Sequence, residues 1–131
     1  DVMSDMLATA YGSAAMMTSV LVSPNGNYEY EAAHGTVRRH YYRYLEGGVA
    51  STNPLAIIMA WASALEKRGE LDQNKELETF GRQLKEAAVK TVEDGIMTAD
   101  LKKVTTIKNP HVVTGLVFIA TVQERLMKLR G

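Results

Sequence analysis

The chain has 131 residues, 46% apolar and 23% charged, which is length for one core and an ordinary soluble globular composition. Fifteen basic residues balance fifteen acidic ones, so no global field favours nucleic acid or an anionic membrane, and any basic site is local. The absence of cysteine excludes a disulfide scaffold and a thiolate zinc site, and no apolar run reaches the roughly 18–20 residues of a membrane-spanning helix.

The chain opens on Asp1 rather than methionine, so its true beginning is expected upstream and targeting signals are not judged from it. Residues 1–12 read as a short helix, with Met3, Met6, Leu7 and Ala10 in one apolar stripe and Gly12 as a C-terminal cap. Ala14 to Val22 and Tyr28 to Ala33 read as the strands of a hairpin turned by Pro24-Asn25-Gly26. The first strand is too apolar to leave one face in water, so the hairpin is expected to join a larger sheet. Glu31 to His40, a strand end running through Gly35-Thr36 into Arg38, Arg39 and His40, reads as an exposed loop. His40 to Leu45 forms a helical turn before Gly47-Gly48.

Ser51-Thr52-Asn53-Pro54 opens a helix, with Asn53 as N-cap and Pro54 at the first helical position. Leu55 to Leu65 is apolar nearly all round, which predicts burial on every side by partners in further chain or a second subunit, and Arg68-Gly69 ends the helix. A surface helix runs from Asn74 to Asp94, with Leu77, Phe80, Leu84, Ala88 and Val92 as its inner stripe and Gly95 closing it. Thr98 caps a short turn, and a last helix after Asn109-Pro110 carries Leu116, Ile119, Ala120, Leu126 and Met127. The fold class is α/β.

Neither a Gly-rich dinucleotide loop nor a Walker A loop is present, nor a nucleophile elbow or a His-Glu-x-x-His metal motif. Two features carry chemistry. The arginine forks of Arg38 and Arg39 match phosphate oxygens, and a protonated His40 can donate to the same group. The plainer alternative is a solvated basic loop paired with Glu29, Glu31 or Glu46. Asp1 and Asp5 lie four apart on one helix face, where they repel unless a cation lies between them. A hard ion such as Mg²⁺ or Mn²⁺ would supply it, and a solvated, acidic helix start is the plain alternative.

The motifs Asp1-Val2-x-Ser4-Asp5, Tyr11-Gly12-Ser13, Met16 to Val22, Glu31 to Val37, Arg39-His40-Tyr41, Ser51 to Pro54, and Met97-Thr98 with Asp100-Leu101 occur in that order. In this the chain resembles the C-terminal part of the homodimeric NADP-dependent isocitrate dehydrogenases. The likeness runs from Asp1 to about Leu101, and the pairing of H-G-T-V-x-R-H with S-T-N-P is its most specific part. It implies a C-terminal fragment, residues 1–131, of the large cofactor-binding domain of the isocitrate/isopropylmalate dehydrogenase-like fold, a hairpin on a larger sheet flanked by helices.

The resemblance implies that Asp1 and Asp5 hold Mg²⁺ or Mn²⁺ with isocitrate. It implies that His34, Gly35, Thr36, Val37, Arg38, Arg39 and His40 cradle the adenosine end of NADP, with Arg39 and His40 on the 2′-phosphate. Asn53 would contact the adenine, Asp100 would lie near it, and Gly12 and Ser13 would lie near the nicotinamide ribose. Arg38 stands where the family often has threonine, and Ala14 where it often has leucine. The activity implied is hydride transfer from isocitrate C2 to NADP⁺ followed by decarboxylation, in a homodimer of the cytoplasm or mitochondrion. Most isocitrate-clamping and proton-moving residues would lie in missing N-terminal chain, so no catalytic residue is expected here and the fragment alone is expected to be inactive. The alternative is a free-standing, non-catalytic nucleotide-binding or interaction module that has kept the loop.

Overall fold

The computed structural model describes residues 17–33, 38–49 and 51–131. The helix expected over 1–12 and the start of the first strand lie outside these. β1 (Thr18–Val22) pairs antiparallel with β2 (Tyr28–Ala32), with Val22 opposite Tyr28 and Thr18 opposite Ala32. The Pro-Asn-Gly triplet makes the turn as predicted. Gly26 N–H donates to Ser23 O at 2.9 Å, and Gly26 takes φ +80°, a left-handed value that favours glycine. Among the described residues no third strand joins the hairpin, which lies instead against the second helix. Val20, Leu21 and Val22 stay about half exposed, at 47%, 52% and 57%, so no described residue supplies the cover their sequence calls for.

The first helix, α1 (Arg38–Leu45), begins earlier than the sequence reading had it: Arg38, Arg39 and His40 form its first turn rather than a loop. Nothing from Arg38 to Leu45 breaks a helix, and Arg38 lays its guanidinium over the Tyr42 ring one turn on, 5.7 Å from its centre. The helix ends where the glycines predict. Gly47 N–H donates to Tyr44 O and Gly48 N–H to Arg43 O, the paired bonds of a glycine C-cap.

α2 (Leu55–Leu71) and α3 (Lys75–Glu93) form an antiparallel hairpin. α2 runs two residues past Gly69, which is not a terminator but a contact point: its bare Cα faces the backbone of Asn74 and Glu78 in α3. Gln73, at φ +55°, turns the chain, and Asn74 accepts from Leu77 N–H to start α3. Further along, a Cβ on Gly81 would stand 2.7 Å from Ala62 O and from Glu66 N. The crossing is thus made by small residues, with Gly69, Ala62 and Gly81 buried in it. α3 therefore buries two strips, not the single stripe its periodicity predicts. α2 is not buried on all sides, since Ile57 and Trp61 remain 48% and 63% exposed.

After Gly95 the chain forms β3 (Ile96–Met97), a short 3₁₀ turn at Leu101–Lys103, and β4 (His111–Val112), which pairs parallel with β3. α4 (Gly115–Arg130) closes the core with Phe118, Val122 and Leu126, spaced one turn apart. Only Leu126 of the predicted stripe is inside; Leu116, Ile119 and Met127 are exposed by 82%, 44% and 63%. Both faces of this helix are apolar, so periodicity alone does not choose. Packing decides: Phe118, fully buried, fits against the small Ala87 and Ala88 with Leu55, Met97 and Leu101.

Two outcomes follow from this packing. Gly81→Ala forces the helices apart and lowers stability by about 1–3 kcal/mol, less whatever the better helix propensity returns, as read by urea unfolding. Asp94 accepts from Lys90 at 2.9 Å and Arg125 at 2.7 Å, and these cations, Lys90 foremost, hold its carboxyl below the usual range. Its contribution is present above the unfolded carboxylate pKa and lost as pH falls through the lowered folded value. Asp94→Asn therefore lowers stability at neutral pH, and the loss vanishes as pH falls through the acid range, as read by urea unfolding across pH.

Candidate functional site

Two short segments meet at one end of the helical hairpin. Asn53 precedes α2, and its Oδ1 accepts from Leu55 N–H at 2.9 Å, so the side chain fixes the helix start as predicted, although Pro54 takes the cap position itself. The same side chain's Nδ2 donates to Asp100 Oδ2 at 2.9 Å, across a separation of 47 residues. Asp100 leads into the 3₁₀ turn, where its carbonyl accepts from Lys103 N–H and its carboxylate is left to face Asn53.

Both residues are half-buried, and neither spends its full capacity on the other. Asn53 has a second Nδ2–H and Asp100 a second carboxylate oxygen. A donor and an acceptor thus stand together, the complement of an adenine edge with its amino group and ring nitrogen.

The basic cluster sits at the N-terminal turn of α1, the end of a helix whose dipole favours an anion. Arg38 and Arg39 are exposed and His40 half-buried. Among the described residues no ion pair joins either arginine to Glu29, Glu31 or Glu46; Glu31 accepts instead from the Ser19 hydroxyl at 2.5 Å. The structure brings Asn53 to Asp100, but no hydrogen bond among the described residues links that pair to Arg38, Arg39 or His40. Asp1, Asp5, Gly12, Ser13, His34, Gly35, Thr36 and Val37 lie outside the described residues. Among the described residues no group of three or more acidic or histidine side chains could hold a metal ion.

A family model described as isocitrate/isopropylmalate dehydrogenase matches residues 1–117. The chain belongs to the isocitrate/isopropylmalate dehydrogenase family. It is 45% identical over 137 aligned positions to the mitochondrial NADP isocitrate dehydrogenases of Homo sapiens and Mus musculus, and likewise to that of Sus scrofa. All of this chain is covered, but it spans only about a third of those relatives, 30% for the human and mouse proteins and 32% for the pig protein. The family likeness and the α/β class expected from the motifs are both borne out.

Thr98, close to this site, departs from the expected capping role. Thr98 does not cap the turn with its side chain; its carbonyl accepts from Lys102 N–H, while the residue is 2% exposed and its hydroxyl has no hydrogen-bond partner among the described residues. A sequence gives no signal for such an orphan, because it depends on what β3 packs against. A buried, unpaired hydroxyl carries a desolvation cost. Thr98→Val therefore leaves stability unchanged or raises it by up to about 1 kcal/mol. A loss in thermal unfolding would mean that the hydroxyl has a partner in solution.

Proposed function

We propose that this chain supplies the adenosine end of the cofactor site in an NADP-dependent isocitrate dehydrogenase, which oxidatively decarboxylates isocitrate to 2-oxoglutarate. The observation that carries the reading is the Asn53–Asp100 hydrogen bond, which joins two separate family-matched segments into one donor–acceptor edge. On this reading the edge pairs with adenine, while Arg39 and His40, with Arg38 beside them, meet the 2′-phosphate. His34, Gly35, Thr36 and Val37 line the ribose and phosphates, and Gly12 and Ser13 approach the nicotinamide ribose. The names of the relatives, NADP enzymes of mitochondria, support both the cofactor and a mitochondrial rather than cytoplasmic setting.

The donor set suits the cofactor. Arginine forks and a helix start favour a dianionic phosphate, and the amide–carboxylate edge favours a base bearing an amino group. Bound NADP⁺ would supply the hydride acceptor. What these residues contribute is orientation and selection, by holding the adenosine end so that the reacting end is fixed elsewhere in the protein. Asp1 and Asp5 offer hard carboxylate oxygens of the kind that suits Mg²⁺ or Mn²⁺, which would hold the substrate and stabilise charge as CO₂ leaves. The remaining isocitrate contacts are assigned to the rest of a homodimeric enzyme, so residues 1–131 taken alone do not turn over.

The test is cofactor selectivity in the complete protein. Replacing Arg39 and His40 together by alanine weakens NADP by about tenfold to a hundredfold and leaves NAD nearly unchanged, since only NADP carries the 2′-phosphate. Equal losses for both cofactors in titration calorimetry would count against the assignment.

A further inference from the structure

Asn53 and Asp100 do not hold themselves in place. The segment from His111 to Gly115 touches both of the strands of chain that carry them. On one side, His111 N–H donates to Gly95 O at 2.8 Å and Val113 N–H to Met97 O at 2.9 Å, which fixes the stretch leading to Asp100. On the other, Gly115 N–H donates to Ser51 Oγ at 2.7 Å, two residues before Asn53 and 64 from Gly115. Gly115 also lies so close to the same loop that a Cβ there would stand 2.5 Å from Thr52 O. Ser51 is half-buried, and its hydroxyl accepts one of the N–H groups at the start of α4 that no helical carbonyl can reach.

We infer that Ser51, through its hydrogen bond to Gly115, is a positioning residue for adenine recognition: it sets where Asn53 presents its amide to the base. Ser51 itself touches no ligand in this scheme. The inference rests on the adenine reading of the Asn53–Asp100 edge and adds a residue that acts through it. A cap of this kind at a remote helix would ordinarily matter only for stability. Here the three bonds of the His111–Gly115 segment fix the relative offset of Asn53 and Asp100, which is the quantity a bidentate base contact depends on.

The experiment is a double-mutant cycle on the complete protein, read by calorimetric binding of adenosine 2′,5′-bisphosphate. Ser51→Ala weakens binding about fivefold when Asn53 is present and has no effect in the Asn53→Ala background, while Ser51→Thr, which keeps the hydroxyl, restores wild-type affinity. Gly115→Ala, which pushes on Thr52 O, gives the same background-dependent loss and guards against a folding defect particular to Ser51. Losses that are equal in both backgrounds, or no loss at all, overturn the positioning role and leave the adenine reading intact. If Asn53→Ala binds as tightly as wild type, the adenine reading itself fails, and the positioning role with it.

Discussion

The near-equal length of two helices governs where everything else lies. α2 has 17 residues and α3 has 19, so at 1.5 Å per residue they run about 25 Å out and about 28 Å back. An antiparallel pair of matched length returns the chain to its starting end. The residue before α2 and the residues after α3 are therefore neighbours, although 47 positions separate Asn53 from Asp100. A helix shorter by one turn on either side would carry Asp100 about 5 Å out of reach.

That match is useful only if the helices lie close, and small residues allow it. Gly69 faces the α3 backbone at one end, and Gly81 faces Ala62 and Glu66 in the middle. Larger side chains are displaced to the flank, where Leu55, Met97, Leu101 and Phe118 form the apolar cluster beneath the site. Charge pairs such as Lys85–Glu66 and Arg125–Asp94 cross between helices at the periphery of this packing. Partly exposed pairs of this sort set register more than they add stability.

Much of this was legible in the residues. Asn53-Pro54 announced a helix start, Asn74 and Gly95 bounded the next helix, and Pro24-Asn25-Gly26 placed the hairpin turn, because each of these residues acts on its own backbone. What was misread depended on partners distant in sequence. Gly69 looked like a stop but is a contact, and α4 offered apolar residues on several faces, of which Phe118 was chosen by the alanines opposite. Asn53 could be named as a cap from spacing, and as an adenine contact from family resemblance. Its bond to Asp100 could not be named, since no local pattern encodes the meeting of two loops. Ser51 was hidden for the same reason, its partner lying 64 residues away.

The two halves of the candidate adenosine site differ in what holds them. Asn53 and Asp100 are tied to helix starts, to a strand pair and to the segment that leads into α4, all of which rest on the buried cluster. Arg38, Arg39 and His40 belong to an eight-residue helix that buries none of its residues, and Tyr41, Tyr42 and Tyr44 are exposed by 59%, 50% and 68%. Isolated helices of that length are marginal, so among the described residues α1 is supported by its glycine cap and the Arg38–Tyr42 contact rather than by the core. A rigid edge suits a base, whose pattern of donors and acceptors must be met within a few tenths of an ångström. A phosphate attracts over distance and accepts donors from many directions, so the cations proposed to meet it need no such support.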